Sequence, residues 1–168
     1  MFFDLIVVGG GAAGFFSAIT CAENSEKSVL ILEKTSQLLQ KVKISGGGRC
    51  NVTHDCFEPR ELSRNYPRGE KSLIGSFHRF GAADTVDWFS RRGVTLKTEA
   101  DGRMFPDTDS SQTIIDALLG AADAAGVAIH TSEGVTSIVK NEDNFELETD
   151  TGDSYTAASV LIATGGTR

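Results

Sequence analysis

The stretch Leu5-Ile6-Val7-Val8-Gly9-Gly10-Gly11-Ala12-Ala13-Gly14 decides the fold of this 168-residue chain. Four apolar residues read as a buried strand and the glycines as a tight turn. From Ala12 the apolar residues repeat at helical spacing, through Phe15 or Phe16, Ile19 and Ala22. A second strand, Ser28 to Glu33, follows, and its closing acid stands 19 residues past Gly14. Strand, G-x-G-x-x-G turn, helix, strand and acid in this order make a dinucleotide-binding fingerprint. Each glycine has its own task. Gly9 lets the chain leave the strand, Gly11 removes a side chain where a pyrophosphate must approach, and Gly14 lets the helix pack closely on the sheet. Phosphates then meet the open amides at the positive end of the helix. Glu33 is expected to accept hydrogen bonds from both hydroxyls of an unphosphorylated ribose. An ordinary glycine-rich turn is the competing reading, and it leaves the register of strand, helix and acid unexplained.

Outward from this unit, residues 34–56 show little periodicity and read as a long polar loop, of the kind that usually carries function. Residues 70–92 read as helical with Gly93 at the C-terminal cap. Val94 to Thr98 and Arg103 to Phe105 flank Ala100-Asp101-Gly102 as a hairpin. Asp109 or Ser110 caps a further helix with the face Ile114, Ile115, Leu118, Leu119, Ala122 and Ala125, which Gly126 stops. Val127 to Thr131 reads as the next parallel strand. Three short strands with polar turns at Asn141–Asn144 and Asp150–Asp153 then form an antiparallel meander from Val135 to Ala158. A separate apolar strand, Val160 to Thr164, leads into Gly165-Gly166. The expectation is an α/β, Rossmann-like domain over residues 1–168, with a parallel sheet, helices on both faces and a three-stranded β-meander. A buried-strand run and a glycine turn at the end read as the N-terminal fragment of a longer chain.

Composition narrows the partners. Sixteen Lys and Arg against 23 Asp and Glu leave a net charge of −7, which argues against nucleic acid as a partner. No stretch has the length to cross a bilayer, and Asp4 with no basic segment before it argues against a secretion signal. Three cysteines, Cys21, Cys50 and Cys56, are too few for a disulfide framework, so a cytoplasmic setting is expected. Cys50, His54 and Cys56 match no common zinc spacing and lack a fourth ligand, so no metal is expected. His54, His78 and His130 have no evident partner in sequence and read as surface or core histidines. No nucleophile, base and acid set emerges, so catalytic residues stay unassigned and the chemistry falls to a cofactor.

A meander ahead of a strand ending Ala163-Thr164-Gly165-Gly166 is a flavoprotein arrangement more than that of a simple NAD-dependent dehydrogenase. Ile44-Ser45-Gly46-Gly47-Gly48-Arg49-Cys50-Asn51-Val52-Thr53 and Gly102-Arg103-Met104-Phe105-Pro106 with Asp109-Ser110 narrow it further. With the fingerprint and Glu33, these segments resemble the N-terminal part of the bacterial aminoacetone oxidase-like family of FAD-binding flavoproteins. The resemblance implies FAD as cofactor, with contacts from Gly9, Gly11, Ala12, Ala13, Gly14, Glu33 and Lys34 at its ADP half. It implies further contacts from Lys41, Ser45, Gly46, Gly47, Gly48, Arg49, Cys50 and Asn51, from the backbone of Val135 against adenine, and from Ala163, Thr164, Gly165 and Gly166. Lys41, Lys43 and Arg49 are expected to bring positive charge, with the Arg49 fork reaching an anionic cofactor. Asn51 either bonds a flavin carbonyl or holds its loop. Cys50 reads as a small space-filling residue rather than a redox partner. Arg103 is expected to pair with Asp107 or Asp109, with a substrate role as the alternative. The family further implies a small-molecule substrate, NAD(P)H or oxygen as redox partner, and a separate substrate domain with a returning C-terminal segment. A nucleotide-binding module without chemistry and an NAD-dependent dehydrogenase are the other two readings of the same residues.

Overall fold

The computed structural model describes residues 1–166. In chain order the elements are β1 (Phe2–Val8), α1 (Ala12–Glu23), β2 (Val29–Glu33), α2 (Gln40–Ile44), a 3₁₀ turn (Ser45–Gly48), β3 (Thr53–His54), α3 (Pro59–Ser63), α4 (Glu70–Arg79) and α5 (Ala82–Ser90). They continue as β4 (Leu96–Thr98), β5 (Arg103–Pro106), α6 (Ser111–Ala124), β6 (Ala128–Thr131), β7 (Val135–Lys140), β8 (Phe145–Thr149) and β9 (Ser154–Ile162). The chain forms two compact units, one of residues 1–42 with the segment from Leu118 onward, the other of residues Lys43–Ala117.

The first unit is built on a six-stranded sheet in the order β6-β2-β1-β9-β8-β7. β1 pairs in parallel with β2 and β9, and β2 in parallel with β6. Ile6, Leu30, Leu147, Tyr155 and Ala157 cluster on one side of it. Val7 and Ile31 alternate with these along their strands and are just as fully buried, as are Phe15, Ala18 and Ile19 of α1, which packs on β1 and β2. Strands buried on both faces are apolar throughout, which is why Leu5 to Val8 and Val29 to Leu32 carry no polar alternation.

The meander differs from expectation in one instructive respect. Its third strand and the final parallel strand are a single strand, β9, whose residues 154–157 pair with β8 in antiparallel while residues 156–162 pair with β1 in parallel. The small residues Ala157, Ala158 and Ser159 look like a break in hydrophobicity. They contain no glycine or proline, and the fully buried Ala157 lies between Phe3 of β1 and Phe145 of β8 in register. The meander is therefore an antiparallel extension of the main sheet, and the last strand closes at Ile162, two residues earlier than expected.

The second unit holds a three-stranded antiparallel sheet, β3-β5-β4, around the buried Met104 and Phe105. The predicted hairpin is its β4–β5 pair. The region 70–92, expected to be helical, holds two helices, because Phe80 is extended and Gly81 starts α5 with its N–H donated to Asp84 Oδ2 at 2.7 Å. The stretch expected to be unstructured over 34–56 contains α2, the 3₁₀ turn and β3, elements too short to show a period. α3 was equally silent; Pro59 opens it and the Glu58 carboxylate caps it by accepting from the Glu61 N–H at 2.8 Å.

Candidate functional site

In the first unit, the turn after β1 separates two kinds of glycine. Gly9 has φ +117°, and a Cβ there would stand 2.5 Å from the Ala163 carbonyl oxygen. A Cβ on Gly14 would collide with the carbonyl oxygen of Gly9. Both are required by the protein itself. Gly11 is different: its φ is an ordinary −90°, and nothing lies within 4 Å of where its Cβ would be. The space above it is kept open. Gly11 is also the N-cap of α1, which has no side-chain cap and no acid in its first turn, with Ala12 and Ala13 exposed. Unsatisfied helix amides under an empty, uncharged surface fit a pyrophosphate.

Glu33 closes β2 beside this turn. Its Oε2 accepts from the Gly10 N–H at 2.8 Å, and its Oε1 accepts from both the N–H and the hydroxyl of Thr35 at 2.9 Å. Burial raises its pKa, but these donors lower it by more, so the carboxyl sits below its ordinary value and is ionised. A carboxylate has about four acceptor positions. With three filled by Gly10 and Thr35, one ribose hydroxyl fits without rearrangement, and the expected second requires Thr35 to yield.

An open cleft runs from the Gly9 turn past Glu33 and Lys34 to Gly134 and Val135, with Thr164 also on its wall. Ala163, also expected at the site, donates its N–H to the Val8 carbonyl at 2.8 Å. Lys41 Nζ donates to the Gly166 carbonyl at 3.0 Å, so its charge serves the Gly165-Gly166 turn. The cleft also gathers residues that the sequence did not single out, Glu133 and Gly134. Gly134 donates to Asp150 Oδ1 at 2.8 Å, and its carbonyl accepts from the Asp150 N–H at 2.8 Å. Their signal was positional: they follow β6, and ligands of open parallel sheets gather at the carboxyl ends of strands. His130, expected without a partner, has two, since Nδ1 lies 2.9 Å from the Tyr155 hydroxyl and 3.4 Å from Glu133 Oε1.

The Ser45–Asn51 segment belongs to the second unit. Gly46, Gly47 and Gly48 all have positive φ, at 56°, 69° and 87°. A Cβ on Gly46 would lie 2.8 Å from the Asn51 nitrogen and from the Phe105 ring, whereas Gly47 and Gly48 face open space. Cys50, at φ 62°, is buried, and burial pushes its thiol up, away from a reactive thiolate. The Asn51 amide, oriented to satisfy its surroundings, donates to the carbonyls of Thr53 at 3.0 Å and Met104 at 3.3 Å, which is the loop-holding role.

Two arginines differ from expectation. Arg49 does not extend a free fork: Nη1 is hydrogen-bonded to Glu99, lies 3.5 Å from Asp109 Oδ1, and the guanidinium sits 4.1 Å above the Phe105 ring. The carboxylates at Nη1 and the ring under its face already engage the cation within its own unit. Arg103 pairs with Asp101 at 2.8 Å and with Glu99 at 3.6 Å, in place of Asp107 or Asp109. Asp109 is instead bonded to Lys97, which with Arg49 holds its carboxyl below the ordinary value. Among the described residues, no three His, Cys, Asp or Glu side chains converge on a metal-sized site, and no helix is long and apolar enough to cross a membrane.

The parallel sheet with its antiparallel extension, the open glycine turn and the acid one strand over define a Rossmann-like FAD-binding domain, and FAD is the cofactor of that class. The chain belongs to the HI0933-like protein Rossmann domain family, which it matches over residues 3–168. It is 32% identical over 164 residues to a ribosomal RNA dihydrouridine synthase of Escherichia coli, covering 98% of this chain and 40% of the relative. It is 26% identical over 161 residues to a 3-dehydro-bile acid delta(4,6)-reductase of Clostridium scindens, covering 95% and 38%. The chain thus spans about two fifths of the length of these curated relatives. Among solved structures, a 3-ketosteroid-delta4-(5alpha)-dehydrogenase of Rhodococcus jostii superposes with a TM-score of 0.72 at 18% identity, covering 98% of this chain and 46% of that one. A glycine oxidase of Geobacillus kaustophilus superposes at 0.61 and 18% identity, covering 98% and 55%. At these identities the likeness is one of fold.

Proposed function

We propose that the protein is an FAD-dependent oxidoreductase and that the first unit holds the ADP half of its cofactor. The observation that carries this is the empty space over Gly11 at the uncapped start of α1, with an ionised Glu33 on the adjoining strand. In this reading the amides of Gly11, Ala12 and Ala13 bind pyrophosphate, Glu33 accepts from ribose, and the Gly134-Val135 backbone borders the base. The Ala163–Gly166 turn of the same unit is assigned to the rest of the cofactor on the strength of the family resemblance. Bound flavin supplies two-electron, hydride-type redox chemistry; the residues described here bind and orient it.

The names of the two curated relatives share a chemistry, reduction of a ring carbon–carbon double bond. The proposed substrate is therefore a small, electron-poor unsaturated ring compound, with NAD(P)H as the electron source, in a reducing cytoplasm where Cys21, Cys50 and Cys56 remain free thiols. A small molecule is favoured over RNA for this chain because its net charge of −7 opposes a phosphate backbone. Within the same family resemblance, the narrower assignment to the aminoacetone oxidase-like group belongs to this proposal too.

The test is spectroscopic. Purified protein is expected to carry a flavin absorbance band or to acquire one on incubation with FAD, and the band is expected to bleach anaerobically with NADH or NADPH. Protein that neither carries nor takes up flavin overturns the proposal, and protein whose flavin never cycles reduces it to a binding module.

A further inference from the structure

We propose that Glu133 reads the base of the bound nucleotide, its carboxylate accepting from the exocyclic amino group of adenine, and that Tyr155 is the positioning residue that holds it there. The inference rests on the FAD reading of the cleft and adds its base specificity. Sheet order supplies the first argument. The open turn follows β1, Glu33 closes β2 and Glu133 follows β6, three strands adjacent in the order β6-β2-β1. Neighbouring strands are about 4.8 Å apart, close to the step from phosphate to ribose and from ribose to base. A nucleotide with its phosphate on the turn and its ribose at Glu33 therefore lays its base over the end of β6. The backbone locks this geometry, since Glu133 N–H donates to the Glu33 carbonyl and Ser132 N–H to the Thr35 carbonyl, both at 3.0 Å.

The Glu133 side chain is also held in place by its neighbours. Glu133 lines the cleft, yet its side chain is only 16% exposed. The Tyr155 hydroxyl, itself in the hydrophobic core, donates to Glu133 Oε2 at 2.6 Å. Having given its one proton to Glu133, that hydroxyl is left to accept from His130 Nδ1 at 2.9 Å. Each member thus fixes the next, and the final one is an acceptor. A carboxylate retains acceptor positions beyond the one Tyr155 fills but offers no donor, so it favours an amino group and disfavours a carbonyl oxygen on the base edge.

ADP and IDP test this, because they share sugar and phosphates and differ on one base edge: an amino group beside an acceptor ring nitrogen in ADP, a carbonyl beside a ring N–H in IDP, so that the amino group at the Glu133 carboxylate is replaced by an oxygen. Calorimetric titration of the flavin-free protein is expected to show ADP binding about tenfold tighter than IDP, the scale of one hydrogen bond to a charged group. Glu133→Gln keeps an oxygen for Tyr155 and gains a donor, so it is expected to tighten IDP and abolish the preference. Tyr155→Phe is expected to give an intermediate ratio. A wild-type protein without preference, or a Glu133→Gln variant that keeps it, overturns the role of Glu133. If the wild-type protein binds neither ADP nor FAD, the cofactor reading itself fails and this inference with it.

Discussion

At the scale of the residue, the fingerprint glycines make a prediction that separates folding from binding. Gly11→Val is expected to cost only about 1 kcal/mol of stability, the scale of a poorer N-cap, because its backbone is ordinary and its space empty, while weakening FAD binding at least tenfold by filling the place of the pyrophosphate. Gly14→Ala is expected to do the reverse, costing about 1 to 3 kcal/mol of stability through contact with the Gly9 carbonyl. Denaturant titration and flavin titration on the same two variants check both. Glu33→Ala is expected to weaken cofactor binding by about 1 to 3 kcal/mol. It also has a pH signature. The folded-state pKa of Glu33 is lowered, so its contribution to stability is full above the unfolded value, about 4.3, and is lost as pH falls through the lower folded value. Unfolding midpoints of wild type and Glu33→Gln are therefore expected to converge as the pH drops through that acidic range.

At the scale of the element, β9 and β5 organise their respective units. β9 joins the parallel and antiparallel parts of one sheet, and its residue Tyr155 lies opposite Leu147 of β8 in register. Leu147 is fully buried, so Leu147→Ala is expected to cost about 2 to 5 kcal/mol in urea unfolding, by lost transfer energy and the cavity left behind. β5 places Phe105, also fully buried, under the Arg49 guanidinium. Phe105→Ala is expected to cost about 3 to 5 kcal/mol. It also removes the ring against which a Cβ on Gly46 would press, so the Ser45–Asn51 segment is expected to gain amide exchange in that variant. Exchange confined to other segments would contradict the packing described.

At the scale of the whole molecule, charge and mass action are the levers. With a net charge of −7, the protein is expected to show no retention on RNA at physiological salt, since binding of that kind is driven by release of counterions from neutralised phosphates. Retention that falls steeply with added salt would return RNA to consideration. FAD at 100 times its dissociation constant is expected to stabilise the fold by about 2.7 kcal/mol, seen as a rise in the thermal midpoint.

The first βαβ unit was legible from Leu5 to Glu33 because each local signal there, strand run, glycine turn, helix spacing and acid, is short-range and mutually consistent. β6, α6 and the β4–β5 hairpin were legible for the same reason. What escaped was set by partners distant in sequence. Ala157 to Ser159 look like a gap between strands until β1 and β8 are seen to pair with the same continuous strand. Arg49 and Arg103 advertise charge, but only the fold shows which carboxylates meet them. Glu133, His130 and Tyr155 carry no motif and become a set only because β6 and β9 belong to one sheet. The sequence by itself thus determined the dinucleotide-binding turn that receives the phosphates, since backbone conformation and helix dipole are local properties. The tertiary structure alone decided which side chains line the cleft and which are already engaged, because a hydrogen bond depends on a few ångströms between atoms that the chain order leaves unspecified.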